Sequence, residues 1–141
     1  MNKIFLDTNL LIYLAATNTS KAEKVSQLIS SSDLSLISVQ VLNEFAAACF
    51  KKELLKSDQI RKYIEEYRLL FDVADVSFTN ISLCFDIKEK YKYSWYDSLI
   101  IATSLLNDCS ILYTEDLRHS QVITLKNIPK ENNLTTINPF I

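Results

Sequence analysis

The chain has 141 residues, a formal net charge of −2, 48% hydrophobic residues and no glycine. Its length and hydrophobic content predict one folded domain, residues 1–141, whose core buries roughly two thirds of the unfolded surface. The lack of glycine excludes the Gly-rich phosphate loops of dinucleotide-binding and P-loop proteins. The small net charge excludes a general polycation, so any binding of nucleic acid requires a local basic patch.

Apolar runs bounded by turn-forming residues predict that strands and helices follow one another along the chain. The unbroken run Ile4-Phe5-Leu6 is typical of a parallel strand that is buried on both faces. In chain order we expect strand Lys3–Leu6, helix Asn9–Ala16, a helix from Ser20 to about Ile29, strand Leu34–Ile37, a helix from Ser38 to about Leu54, a helix from Ser57, a weaker strand Val73–Val76, a helix from Thr79 or Asn80 to about Tyr91, a helix from Ser94, strand Ser110–Tyr113, and short strands Val122–Leu125 and Thr135–Ile137, with Pro129 and Pro139 in the connections.

Two of these helices carry informative apolar patterns, and three begin at serines that are suitable N-caps. The predicted caps are Ser20, Ser38 and Ser94. The last of these helices is apolar on more than one face, which predicts a central position. The helix from Ser57 groups large apolar side chains on one side, either for the core or for contact with another protein: Tyr63, Tyr67, Leu70 and Phe71.

The alternation of strands and helices predicts an α/β fold with a parallel sheet and helices on both of its faces, a three-layer sandwich. The three cysteines, Cys49, Cys84 and Cys109, are far apart and lack metal-binding spacing. We therefore expect buried thiols in a reducing compartment, without a disulfide framework. No apolar run is long enough to cross a membrane, and no signal peptide is visible, so the expected location is cytoplasmic.

Four of the 17 acidic residues stand apart, because most of the others lie on charged helix faces. Asp7 follows the first strand, Asp116 follows the strand at Ser110–Tyr113, and Asp97 falls in the first turn of the apolar helix. Right-handed crossovers place these positions along one edge of a parallel sheet. Glu44 lies about two turns into its helix, among apolar neighbours that allow it to point toward the same edge.

Three of the four acids have an ordinary structural alternative when they are considered alone, whereas Glu44, flanked by apolar residues, is harder to explain as a surface residue. Asp97 and Asp116 would serve as capping residues, and Asp7 would serve in an Asx turn. Together they would repel one another unless a cation lies between them. Mg²⁺ or Mn²⁺ binds oxygen ligands of this kind, whereas zinc is disfavoured because the only histidine is His119.

The four acid-containing segments resemble the motifs of the PIN-domain nucleases, and most closely those of the VapC-like ribonuclease toxins. The matching segments are Asp7-Thr8-Asn9, Glu44, Ser94-Trp95-Tyr96-Asp97 and Thr114-Glu115-Asp116, and they occur in order across almost the whole chain. The resemblance implies a parallel sheet of about five strands, a homodimer, and Mg²⁺- or Mn²⁺-dependent cleavage of RNA, often tRNA or rRNA. It also implies an antitoxin protein as partner.

The resemblance makes Asp7, Glu44, Asp97 and Asp116 the catalytic acids and metal ligands. Thr8, Asn9, Thr114 and Arg118 are expected to support these acids or to contact phosphate. An acidic site that binds RNA also requires a basic flank. The candidates for this flank are Lys51, Lys52, Lys56, Arg61, Lys62, Lys88, Lys90, Lys92 and Arg118.

Other functions stay open on the sequence alone. A PIN-type nuclease that acts on structured DNA, or in RNA processing without a toxin role, would use the same acids. A phosphotransferase with Asp7 as nucleophile would require a second aspartate where the chain has Asn9. A pure binding module would not need the four acids, and all four are present.

Overall fold

The computed structural model describes residues 2–126 and 132–141, and these residues form six strands and six helices. In chain order they are β1 (Lys3–Leu6), α1 (Thr8–Ala15), α2 (Ser20–Ser31), β2 (Leu34–Ser38), α3 (Val39–Lys51), α4 (Ser57–Leu70), β3 (Asp72–Ala74), α5 (Phe78–Tyr91), α6 (Trp95–Leu106), β4 (Ile111–Tyr113), β5 (Gln121–Ile123) and β6 (Leu134–Ile137). The connection predicted around Pro129 lies outside the described residues. None of the helices in these two ranges is long and apolar enough to cross a membrane.

The six strands form one sheet in the order β3-β2-β1-β4-β6-β5. The first five in this order are mutually parallel, which confirms the predicted parallel sheet of about five strands. The sixth strand, β5, differs because it pairs antiparallel with β6 at the edge. These two strands follow each other along the chain, and the link between them is too short for the crossover that parallel neighbours require.

Strand β1 lies in the middle of the sheet, between β2 and β4, and its side chains Ile4, Phe5 and Leu6 are buried. Helix α6 is buried on several faces, as its sequence predicted, with Ile101 fully enclosed. All three cysteines are buried and free, which confirms the prediction of apolar packing without disulfides. The centre of the fold therefore contains β1, which is followed by Asp7, and α6, whose first turn contains Asp97.

Several helix ends differ from the prediction by a few residues. Helix α2 is capped by Thr19, whose hydroxyl accepts from the Ala22 amide, and not by Ser20. Helix α5 begins after Ser77, and not at the predicted caps Thr79 or Asn80. Asn80 lies inside the helix, where its Oδ1 accepts from Ser77 and its Nδ2 donates to Thr103 Oγ1 of α6. Helix α3 stops at Lys51.

Of the two roles expected for the apolar side of α4, its buried members Tyr67 and Phe71 have the first, packing in the core. Tyr67 and Phe71 are buried, and the Tyr67 hydroxyl donates to the Leu11 carbonyl at 2.8 Å. Leu70, which the sequence placed on the same side, is instead 54% exposed. The helix turns by about 100° per residue, so Leu70 leaves the buried stripe that Tyr67 and Phe71 share.

Replacing Ser38 with alanine is expected to lower the free energy of unfolding by about 1–2 kcal/mol. Ser38 is fully buried at the end of β2, and its Oγ accepts from the Val41 amide at 3.2 Å to begin α3. Alanine would leave that amide without its partner. Chemical denaturation measures the loss, with Ser30→Ala on the exposed face of α2 as the matched control. Equal stability of the two variants would contradict the capping role.

Candidate metal centre

Asp7 is the most enclosed acid of the site, with 4% of its surface exposed. It follows β1 directly and is the N-cap of α1, where its Oδ1 accepts from the Thr8 amide at 2.7 Å. Its other oxygen, Oδ2, accepts from the Thr114 hydroxyl, also at 2.7 Å. Both oxygens are thus oriented by the ends of two neighbouring strands, β1 and β4, which pair in the sheet.

Burial raises the pKa of Asp7 from 3.8 to about 6. The hydrogen bonds from Thr114 and Thr8 favour the charged form and oppose this rise, whereas the charges of Asp116 and Asp97 add to it. A carboxylate at this depth is costly to ionise in the absence of a compensating cation. The position that the sequence singled out is therefore an electrostatically unfavourable one.

Three carboxylates converge at this edge of the sheet, and their ligand oxygens lie within 4.8 Å of one another: Asp7, Asp97 and Asp116. Asp97 lies in the first turn of α6, whose N-cap Ser94 accepts from the Asp97 amide at 3.2 Å. Asp116 is exposed and lies in the loop after β4. Burial raises the pKa of Asp116, and the charge of Asp97 adds to the rise.

Glu44 lies beside these three acids but is not a member of the group within 4.8 Å. Its Oε2 accepts from the Thr8 hydroxyl at 3.4 Å and from the Gln40 amide at 3.2 Å. Burial, followed by the charge of Asp7, raises the pKa of Glu44 to about 6. The helix face that the sequence suggested is therefore the one that points toward the site, with Glu44 at its margin.

The predicted supporting residues connect the acids to one another. Asn9 donates from Nδ2 to Asp116 at 3.3 Å, and Thr8 donates to Glu44. Thr114 donates to Asp7, and its Oγ1 accepts from the Asp116 amide at 3.1 Å. These three side chains join the end of β1, the end of β4 and helix α3 into one network.

The basic residues that the sequence offered as an RNA-binding flank make different kinds of contact in the structure. The Arg118 guanidinium carbon lies 5.8 Å from the centre of the Tyr93 ring, and the Arg118 amide donates to the Tyr93 hydroxyl. Lys52 is close enough for its charge to oppose the rise in the Asp116 pKa. Lys88 and Lys90 donate to the backbone carbonyls of Tyr93 and Thr124, so both support the fold locally.

Two further parts of the site were not predicted. Glu115 accepts a hydrogen bond from the Tyr13 hydroxyl and pairs with Lys21 at 3.4 Å, which ties the loop of Asp116 to α1 and α2. Lys21 also lies over the Tyr13 ring, 4.2 Å from its centre. Gln40 is the second omission. Its place one helical turn before Glu44 was the only sequence signal available.

The chemistry of the site fits a hard divalent cation. The converging ligands are all carboxylate oxygens, contributed by the loops after β1 and β4 and by the start of α6. Such ligands suit Mg²⁺ or Mn²⁺ better than zinc, whose sites usually include histidine nitrogen or cysteine sulfur. The raised pKa values of Asp7 and Asp116 mark repulsion and burial that a bound cation would relieve.

Comparison with known proteins gives one consistent result. The family model described as "PIN domain" matches residues 4–124. A toxin–antitoxin complex from Klebsiella pneumoniae is similar in structure, with a TM-score of 0.69 and 19% identity over 97% of this chain and 98% of that one. VapBC2 from Rickettsia felis, bound to a DNA fragment from its promoter, gives 0.66 and 17% over 96% and 99%.

A third similar structure is VapC20 of Mycobacterium tuberculosis, described as a Sarcin-Ricin loop cleaving toxin. Its TM-score is 0.66, with 18% identity over 80% of this chain and 89% of that one. No curated protein sequence matches the chain. At these identities the structural similarity establishes a shared fold, whereas the family follows from the match to most of the sequence.

Proposed function

Because the chain belongs to the PIN domain family, we propose that it is a divalent-metal-dependent endoribonuclease and the toxin of a toxin–antitoxin pair. The observation that supports the proposal most directly is the convergence of Asp7, Asp97 and Asp116, whose oxygens lie within 4.8 Å of one another. Each comes from a different part of the chain, and two of the three have a raised pKa. PIN nucleases use a divalent metal, and this acidic group is the place for it.

In the proposed mechanism Asp7, Asp97 and Asp116 would hold Mg²⁺ or Mn²⁺, with Glu44 completing the acidic pocket. When bound, the ion would supply positive charge that polarises phosphoryl oxygens and acidifies water. The chain itself fixes the ligands: Thr114 and the Thr8 amide orient Asp7. Glu44 lies at the margin of the group, and its carboxylate, which accepts from Thr8 and Gln40, is the proposed acceptor of a proton from an attacking water.

The substrate and partners are proposed by analogy with the similar structures. VapC20 is described as cleaving the Sarcin-Ricin loop, which supports RNA as the substrate class. Ribosomal or transfer RNA is the target that we propose. Two of the similar structures are complexes of a toxin with its antitoxin, which supports an antitoxin protein as partner. A homodimer, a cytoplasmic location and an RNA contact at Arg118 complete the proposal.

The decisive experiment compares substrates with the purified protein. We expect Mn²⁺ or Mg²⁺ to support cleavage of RNA, chelation to stop it, and flap DNA to remain intact. Cleavage of the DNA alone would instead favour a nuclease for structured DNA. Expression in a bacterial host, with and without any small open reading frame that adjoins the gene, then tests the toxin role by sequencing RNA ends. Growth that is unaffected in both cases would refute that role, even if RNA is cut in vitro.

A further inference from the structure

Gln40 joins two of the elements that carry the acidic residues. It lies in the first turn of α3, four residues before Glu44. Its side-chain nitrogen donates to Glu44 Oε2 at 3.2 Å and to the Tyr96 carbonyl at 3.0 Å. Tyr96 is in the first turn of α6 and directly precedes Asp97. One amide group therefore spans from the carboxylate of Glu44 to the backbone beside Asp97.

The orientation of this amide follows from the groups that it contacts. Both contacts, a carboxylate oxygen and a carbonyl oxygen, are acceptors, so only the NH₂ end can face them, and its two hydrogens match the two acceptors. The amide oxygen, Oε1, is buried and has no hydrogen-bond partner among the described residues. Rotating the amide would satisfy neither acceptor and would bring oxygen against oxygen. The two bridging hydrogen bonds thus hold the side chain in an orientation that leaves its own oxygen unsatisfied.

Within residues 2–126 and 132–141, Gln40 is also the closer of the two side chains that donate to Glu44. The Thr8 hydroxyl lies 3.4 Å from the same oxygen, compared with 3.2 Å for Gln40. Thr8 belongs to α1, and Gln40 is the donor that also reaches α6. Without the amide, the Glu44 side chain would lose its link to the helix that carries Asp97.

We infer that Gln40 is a positioning residue, whose amide fixes Glu44 relative to the start of α6 and thereby sets the spacing between the fourth acid and Asp97. This inference rests on the proposed metal site, which it refines. Groups that orient metal ligands without touching the ion typically contribute 10–100-fold to affinity or activity. Gln40 belongs to this class because it donates to one acid and to the backbone adjoining another.

The test compares Gln40→Met with Gln27→Met, which makes the same change at an exposed position of α2. Methionine preserves the length and approximate volume of the side chain but removes both donors. We expect Mn²⁺ binding to the RNA-free protein, measured by calorimetry, to weaken by about 10-fold or more in Gln40→Met. Gln27→Met is expected to bind as the parent does. In RNA cleavage we expect a lower kcat with little change in KM.

Gln40→Glu provides a second variant, which retains the shape of the side chain and lacks the donors. Its added carboxylate would repel Glu44 and the Tyr96 carbonyl oxygen instead of joining them, so we expect kcat to fall at least as far as in Gln40→Met, although the extra negative charge favours cation binding. An affinity within about twofold of the parent in Gln40→Met would overturn the inference. So would a fall in metal-free melting temperature large enough to account for the loss, since Gln40 would then be a packing residue.

These outcomes separate the inference from the proposed function. A parent protein that binds Mn²⁺ without cutting RNA would refute the ribonuclease, and the affinities of the glutamine variants would still decide the role of Gln40. A parent that binds no divalent cation would overturn both.

Discussion

Asp7→Asn is expected to abolish divalent-dependent RNA cleavage while the fold survives. Loss of a group that only supports a metal ligand costs 10–100-fold, so the loss of a ligand itself is expected to exceed about 100-fold. Asparagine retains an oxygen that can accept from the Thr8 amide and cap α1. Its NH₂ group would face Thr114 Oγ1, and a hydroxyl is able to accept as well as donate. The change therefore removes charge with little loss of structure.

Cleavage rates at saturating Mn²⁺, together with far-UV circular dichroism, measure the two halves of this prediction. Asp97→Asn should behave in the same way, because the Ser94 cap bonds the Asp97 amide nitrogen and not its side chain. Asp58→Asn is the matched control, an acid in the first turn of another helix, α4. Parental cleavage by either Asp7→Asn or Asp97→Asn would show that the site has been assigned wrongly.

The second large effect concerns the stability of the metal-free protein, which we expect to fall as the pH rises from about 4 to about 6. In this window the folded protein retains a proton on Asp7, whose pKa is about 6, while the unfolded chain releases it at about 3.8. Stability is lost wherever the folded state binds more protons than the unfolded state. The difference between the two pKa values corresponds to about 3 kcal/mol. Glu44 shifts in the same direction.

Asp7→Asn removes this penalty, so above pH 7 the metal-free variant should be more stable than the parent by up to about 3 kcal/mol. Well below pH 3.8 the two should be equally stable, because Asp7 is then protonated in both states of the parent. Urea denaturation in the presence of a chelator, repeated across this pH range, gives the comparison. Adding Mn²⁺ should stabilise the parent and leave the variant almost unchanged, since a ligand stabilises only the state that binds it. If the stability of the metal-free parent did not depend on pH, the raised pKa of the buried Asp7 carboxyl would be contradicted.

The sequence predicted best those elements whose local residue pattern favours the same conformation and burial as their place in the fold. The run Ile4-Phe5-Leu6 is buried in the central strand, and the multifaceted apolar pattern of α6 corresponds to its enclosed position. Ser38 and Ser94 cap the helices that they were expected to cap. Thr19 and Ser77 were overlooked because neighbouring residues are equally good caps by type, and the backbone conformation that selects between them is not visible in a pattern.

The meeting of three acids at one edge of the sheet was predictable from the sequence, but the distances within the acidic group were not. Asp7, Asp97 and Asp116 follow from strand ends and a helix start, which topology brings to one edge. Glu44 lies outside the group of Asp7, Asp97 and Asp116 because of the way in which α3 packs in the fold. No local sequence pattern determines that packing. The same holds for Gln40 and for the pairing of Glu115 with Lys21, because each contact joins segments that are far apart along the chain.

The central position of β1 has a consequence for the order in which the protein is made. Asp7 receives its hydrogen bond from Thr114, which lies 107 residues later, and β1 pairs with β4 at the same separation. Chains are synthesised at about 5–20 residues per second, so Thr114 is added several seconds after Asp7. During this interval the growing polypeptide lacks the complete set of carboxylates. The proposed RNA-cutting site is therefore incomplete until Asp116 has been synthesised, and the chain is not expected to cut RNA before that point.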